Sequence, residues 1–142
     1  MQHIIRLQWQ RRGEFSHAGF ERRHELEFQP QVSIAAGGAN NDFGADPEQM
    51  LAAAMASCHM QTFLALAAKK RLQVERYQDE AIASLAQRDD GKFWVDRIVL
   101  QPQVVFAGES PAAETIKAMH DKAHQHCFIA NSVTTEVDIR TP

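Results

Sequence analysis

The chain has 142 residues, 44% of them apolar and 23% charged, with a net charge of −3; that balance fits one globular domain and excludes a disordered or fibrous chain. Fifteen Lys and Arg are scattered among eighteen Asp and Glu, so no basic stripe marks a nucleic-acid surface. Met1 to Trp9 contain no apolar block of signal length, and the apolar stretch Met50 to Ala68 is interrupted by Ser57, Cys58, His59, Gln61 and Thr62. A cytoplasmic protein without a membrane span is expected, with that stretch as a core helix.

His3 to Trp9 and Arg22 to Phe28 alternate apolar and polar side chains, which predicts two or three N-terminal strands. After Val32 and Ile34 comes Gly37-Gly38-Ala39-Asn40-Asn41-Asp42, a loop of residues that tolerate left-handed backbone. Asp46-Pro47-Glu48-Gln49 is a helix start: Asp accepts from a free amide, Pro suits the first helical position, and the acids favour the positive dipole end. The helix should run to about Lys70. Val74 to Ala86 and Phe93 to Phe106 form a long β-hairpin around Asp89-Asp90-Gly91. Ser110-Pro111 opens and caps a second helix that ends near His126, and Val133 to Arg140 is a closing strand. With no repeat or linker, residues 1–142 read as a single α+β domain in the order β, α, β-hairpin, α, β.

Two cysteines in a reducing compartment point to reactive thiols, not to a structural staple. Cys58 lies early in a helix of alanines, where an apolar surround raises a thiol pKa unless a cation or a helix N-terminus lowers it; only the thiolate is an efficient nucleophile, so a buried arginine is required. Arg11, Arg12, Arg22 and Arg23 are the candidates, and Glu48 could orient one of them by a bidentate contact. An unbroken helix places Glu48 and Cys58 about 15 Å apart along its axis. Either the helix breaks among Ala52, Ala53 and Ala54, or the arginine spans the gap. A Cys58–Cys127 disulfide requires Cα atoms within about 7 Å, hence the end of the second helix packed on the start of the first.

Blander roles compete. Glu48 can serve only as a first-turn acid, Arg22 and Arg23 as solvated strand charges, and Met50, Met55 and Met60 as core filler. His120 and His124 share a helical face, and with Cys58 and Cys127 they raise a zinc or other soft-metal site as the principal rival. No Cys-x-x-Cys or His-Glu-x-x-His motif accompanies them, and no metal or cofactor is assigned. A third reading is a noncatalytic binder of hydrophobic ligands.

Pro47-Glu48-Gln49-Met50-Leu51-Ala52-Ala53-Ala54-Met55-Ala56-Ser57-Cys58 resembles the first-cysteine signature of the OsmC/Ohr family, the osmotically inducible and organic hydroperoxide resistance proteins. Cys127, between a second helix and a final strand, suits that family's layout. The resemblance implies an OsmC-like α+β fold and an intertwined homodimer with two sites at the interface. It also implies a thiol-dependent peroxidase that reduces organic hydroperoxides and is recharged by an external dithiol. Cys58 becomes the peroxidatic cysteine, Cys127 the resolving cysteine and Glu48 the partner of an activating arginine. Phe20-Glu21-Arg22-Arg23-His24 is similar to an Arg-x-His pattern of one branch, which assigns Arg22 that role, with Arg23 and Arg12 as alternates. The chain departs from many relatives in having Phe128, not Pro, after the second cysteine.

Overall fold

The computed structural model describes residues 1–142, which form two compact units, Met1–Met50 and Leu51–Pro142. The N-terminal unit is an antiparallel sheet of β1 (Arg6–Gln8), β2 (His24–Gln29) and β3 (Val32–Ala36) in that order. Leu7 pairs with Leu26, and Leu26 in turn with Ile34, so the alternation in sequence becomes one apolar row across three strands. Gln31, in the turn between β2 and β3, has φ 65, and Asn40 in the polar loop has φ 62, a conformation Asn tolerates.

The segment after β3 is held by backbone contacts at which Gly44 is required. A Cβ there would collide with the Ala35 carbonyl, because Ala45 N–H donates to Ala35 O at 3.1 Å and Gly37 N–H to Ala45 O at 2.9 Å. These contacts carry the chain to Asp46, whose carboxylate accepts from Gln49 N–H at 2.8 Å while Gln49 Oε1 accepts from Asp46 N–H at 2.9 Å. This reciprocal cap fixes the start of α1 (Pro47–Lys69) at the predicted place.

In the C-terminal unit α1 continues without a break and ends where Arg71 turns left-handed, φ 59, with Leu72 N–H bonded to Ala67 O at 3.0 Å. By length and composition α1 could cross a membrane. Its buried residues, Ala52, Met55, His59, Phe63 and Ala67, recur every three or four positions, and Met55 and Phe63 anchor two apolar clusters.

The long hairpin is present in two parts: β5 (Ile82–Gln87) pairs with β6 (Phe93–Leu100), and β4 (Val74–Gln78) with β7 (Gln103–Phe106), all antiparallel. The ladder is interrupted at Gln101-Pro102, because Pro102 has no N–H to offer and Gln101 N–H goes to the Asp79 carboxylate at 2.7 Å. α2 (Ala113–His126) starts later than predicted and Ser110 does not cap it; Ala112 is the N-cap, in extended backbone with no side-chain bond. Met119, His120 and Ala123 form its buried face. β8 (Glu136–Ile139) is shorter than the predicted strand and lies parallel to β6.

Candidate active site

Cys58 is the twelfth residue of the 23-residue α1, at its middle and not early in it. The reciprocal cap fixes the start eleven residues upstream, and dipole stabilisation fades within the first turn. The thiol must therefore be tuned by its neighbours. After His126 the chain turns extended at Cys127, with φ −69 and ψ 117. Asn131 N–H then donates to Cys127 O at 3.0 Å, and Ala130 N–H approaches Cys127 Sγ at 3.4 Å. This turn lays residues 127–129 against Cys58, so α2's end meets the middle of α1 and not its start.

Burial raises the Cys58 pKa, but the polar groups beside it, the Ile129 amide, the Cys127 thiol, the Phe128 amide and Thr62, outweigh burial and leave the thiol below its usual value; the Thr62 hydroxyl itself donates to Cys58 O at 2.9 Å. Burial raises Cys127, and the neighbouring Cys58 raises it further. Cys58 is half-buried and Cys127 fully buried, both as free thiols. One sulfur is thus biased toward thiolate and the other toward thiol. Phe128 supplies an N–H that a proline at that position would lack.

In the N-terminal unit Arg22 is exposed and not buried as expected. Its guanidinium lies 4.4 Å from the Phe20 ring centroid, a stacking that leaves the charge in water. Arg22 lines an apolar cavity of about 550 Å³ with Leu7, Trp9, Phe15 and Phe20. Arg23 instead stacks on Phe43 at 4.5 Å, and with Arg12 it lines a separate polar groove. Arg11 is turned to Gly13 O at 3.0 Å. Glu48 is the second residue of α1; the chain's four ion pairs include neither Glu48 nor Arg22. No break occurs among Ala52, Ala53 and Ala54, so Glu48 and Cys58 stay about 15 Å apart along α1.

A family profile described as OsmC-like protein matches residues 37–141. The chain belongs to the OsmC-like family. Among solved structures, this OsmC-like chain is similar to an OsmC-like protein of unknown function from Vibrio cholerae, at 38% identity and TM-score 0.91, covering 100% of this chain and 99% of that one. It shares the fold of the organic hydroperoxide resistance protein OhrB of Bacillus subtilis, at 17% identity and TM-score 0.69 over 98% of each chain. An organic hydroperoxide resistance protein from Elizabethkingia anophelis has that fold too, at 18% identity and TM-score 0.69, over 99% of this chain and 95% of that one. No curated protein matches the sequence.

The sequence pattern did not point to the Phe128 and Ile129 amides, and it raised the histidines only as a rival soft-metal site. Backbone donors have no residue-type signature; Thr62, four residues after Cys58 on one helical face, was the detectable signal. No three His, Cys, Asp or Glu side chains converge as a metal site. His120 is turned instead toward His59, with His59 Nε2 3.0 Å from His120 Nδ1.

Proposed function

We propose that the chain is a thiol-dependent peroxidase that reduces organic hydroperoxides in the cytoplasm, working as an intertwined homodimer. The observation that carries this reading is the pair of free thiols: a half-buried Cys58, its pKa drawn down by the neighbouring Ile129 amide, Cys127 thiol, Phe128 amide and Thr62, beside a fully buried Cys127 whose pKa is pushed up by burial. Cys58 thiolate attacks one peroxide oxygen, the O–O bond breaks, and the alkoxide leaves as the alcohol after taking a proton. Cys58 is then a sulfenic acid. The Cys127 sulfur displaces its hydroxyl as water, the disulfide closes, and an external dithiol restores both thiols by exchange.

In this proposal Arg22 adds to thiolate stabilisation in the assembled enzyme and Glu48 orients its guanidinium, with Arg23 and Arg12 as the alternates. Support comes from family membership and from the place of Arg22 beside the apolar cavity. That cavity, lined by Trp9, Phe15 and Phe20, also favours a second reading, a binder of hydrophobic ligands without turnover.

Stopped-flow consumption of cumene hydroperoxide and hydrogen peroxide by prereduced protein separates the two. Wild type should consume the organic peroxide, Cys58→Ser should lose all thiol-dependent turnover, and Cys127→Ser should react once and stop at the sulfenic acid. Arg22→Ala should slow attack about 10²-fold, the scale of losing one preorganised donor to developing charge, and should raise the Cys58 pKa in a thiol titration. No consumption by wild type, or Cys58→Ser as fast as wild type, leaves only the binder.

A further inference from the structure

The two helices that lead to the thiols bury faces that are apolar except at one level. α1 buries Met55, His59, Phe63 and Ala67; α2 buries Met119, His120 and Ala123, with buried Cys127 following. Phe63, Ala67, Met119 and Ala123 share one apolar cluster, while Met55, Cys58 and Cys127 share another. His59 and His120 belong to neither cluster, and each is 1% exposed. Their 3.0 Å contact is the one side-chain hydrogen bond between a residue of α1 and a residue within α2; Cys127, beside Cys58, lies just past the end of α2. The two rings are within 6° of parallel, and His120 also stacks on Phe63 at 4.3 Å.

Net stability does not account for this layer. Apolar side chains of similar volume would fill it without desolvating two imidazoles, and buried polar pairs of this kind are often neutral or costly against such replacements. The layer is also incompletely satisfied: His120 Nε2, His124 Nδ1 and Tyr77 Oη are buried without a hydrogen-bond partner, and unmet buried groups cost roughly 1–3 kcal/mol each. A single directional bond between two helices does select their register, as one buried polar residue does in a coiled coil.

Register matters here because of where the thiols lie. Cys58 immediately precedes His59 on α1, and Cys127 follows His120 by about two turns, at the end of α2. Sliding α2 by one turn would unpair both imidazoles and move Cys127 about 5.4 Å along the axis, enough to take its Cα outside the range a disulfide spans. We infer that His59 and His120 are positioning residues, which fix the register of α2 on α1 and thereby hold Cys127 within bonding reach of Cys58. The inference rests on the disulfide-closing reading above. The step served is attack of Cys127 sulfur on the Cys58 sulfenic acid: an S–S bond forms, the S–O bond breaks, and hydroxide leaves with the thiol proton as water.

The test is equilibration of the protein in glutathione buffers, with the Cys58–Cys127 disulfide quantified by mass after alkylation of free thiols. The double variant His59→Leu, His120→Leu should melt at or above the wild-type temperature, yet its closing constant should fall at least tenfold, about 30 mV for this two-electron couple. A merely structural pair would lower the melting temperature and leave the closing constant unchanged in the folded protein, which overturns the inference. His59→Gln, whose amide nitrogen takes the place of Nε2, should keep wild-type closing. His59→Asn, one methylene too short to reach His120, should close like the double variant. Should the double variant not fold, the Gln and Asn variants decide alone: equal closing constants overturn the inference, and a tenfold gap supports it. A wild type that forms no disulfide in oxidised buffer overturns the disulfide reading and this one together. A wild type that closes beside unaffected variants overturns the positioning role only.

Discussion

Between Met1 and Ile34 lie nine of the fourteen large apolar side chains that the chain leaves exposed, whereas residues 51–142 hold eleven of the thirteen buried apolar core residues. The C-terminal unit therefore builds its chemistry from within. Its two apolar clusters hold α1, and the turn after α2 brings two amides and a second thiol to Cys58. The N-terminal unit spends its aromatic side chains differently: Trp9, Phe15 and Phe20 stack on one another at 5.8 and 6.0 Å and line a cavity. Packing decides the sulfur chemistry in one unit, and exposed surface carries the arginines and aromatics in the other.

Truncating one aromatic in each unit is the sharpest way to break that comparison. Phe63→Ala, at a fully buried position, should cost about 3–5 kcal/mol of unfolding free energy in urea. Phe15→Ala, at a side chain 69% exposed, should cost less than about 1 kcal/mol. Similar losses in circular-dichroism unfolding curves would show that the N-terminal aromatics are core after all.

Acid should act next most strongly, and through the C-terminal unit. Burial, with added repulsion from His120 and His124, brings His59 down to about 4. Burial brings His120 to about 4 against a small opposing pull from Asp121. The unfolded chain then takes up protons first, so this stability is fully present above pH 6.5 and is lost as pH falls toward 4. One such imidazole accounts for about 2 kcal/mol lost between pH 7 and pH 5. Urea unfolding at the two pH values should show that loss in wild type and a flatter profile when both histidines are replaced by leucine. An equal loss in both proteins would assign the acid sensitivity to other groups.

The smallest expected effect lies at the start of α1. Asp46→Ala removes the side chain that accepts Gln49 N–H and should cost about 1 kcal/mol in the same assay, with little change in the Cys58 titration, because the thiol lies beyond the reach of the first turn. A clear rise in the Cys58 pKa would show that the helix start acts on the sulfur.

Much of the fold was legible because its signals are local. Asp46-Pro47-Glu48-Gln49 specified its own helix start through contacts three residues apart, and alternation marked β2 and the hairpin strands. Legibility failed where local signals competed with packing. Ser110-Pro111 looked like a cap, yet α2 starts at Ala113 with Ala112 as an N-cap that makes no side-chain bond. Alanines occupy every side of α1, so periodicity alone could not tell its buried face from its exposed one.

The sequence by itself determined the element order, the capped start of α1 and the family to which the chain belongs, because each is written in contiguous residues. Only the tertiary structure decided that Cys58 lies beside Cys127, Phe128 and Ile129, and that His59 meets His120. Those partners stand about sixty to seventy residues apart in the chain. Backbone amides carry no residue-type signature, and the pKa of a thiol depends on the donors that folding brings to it.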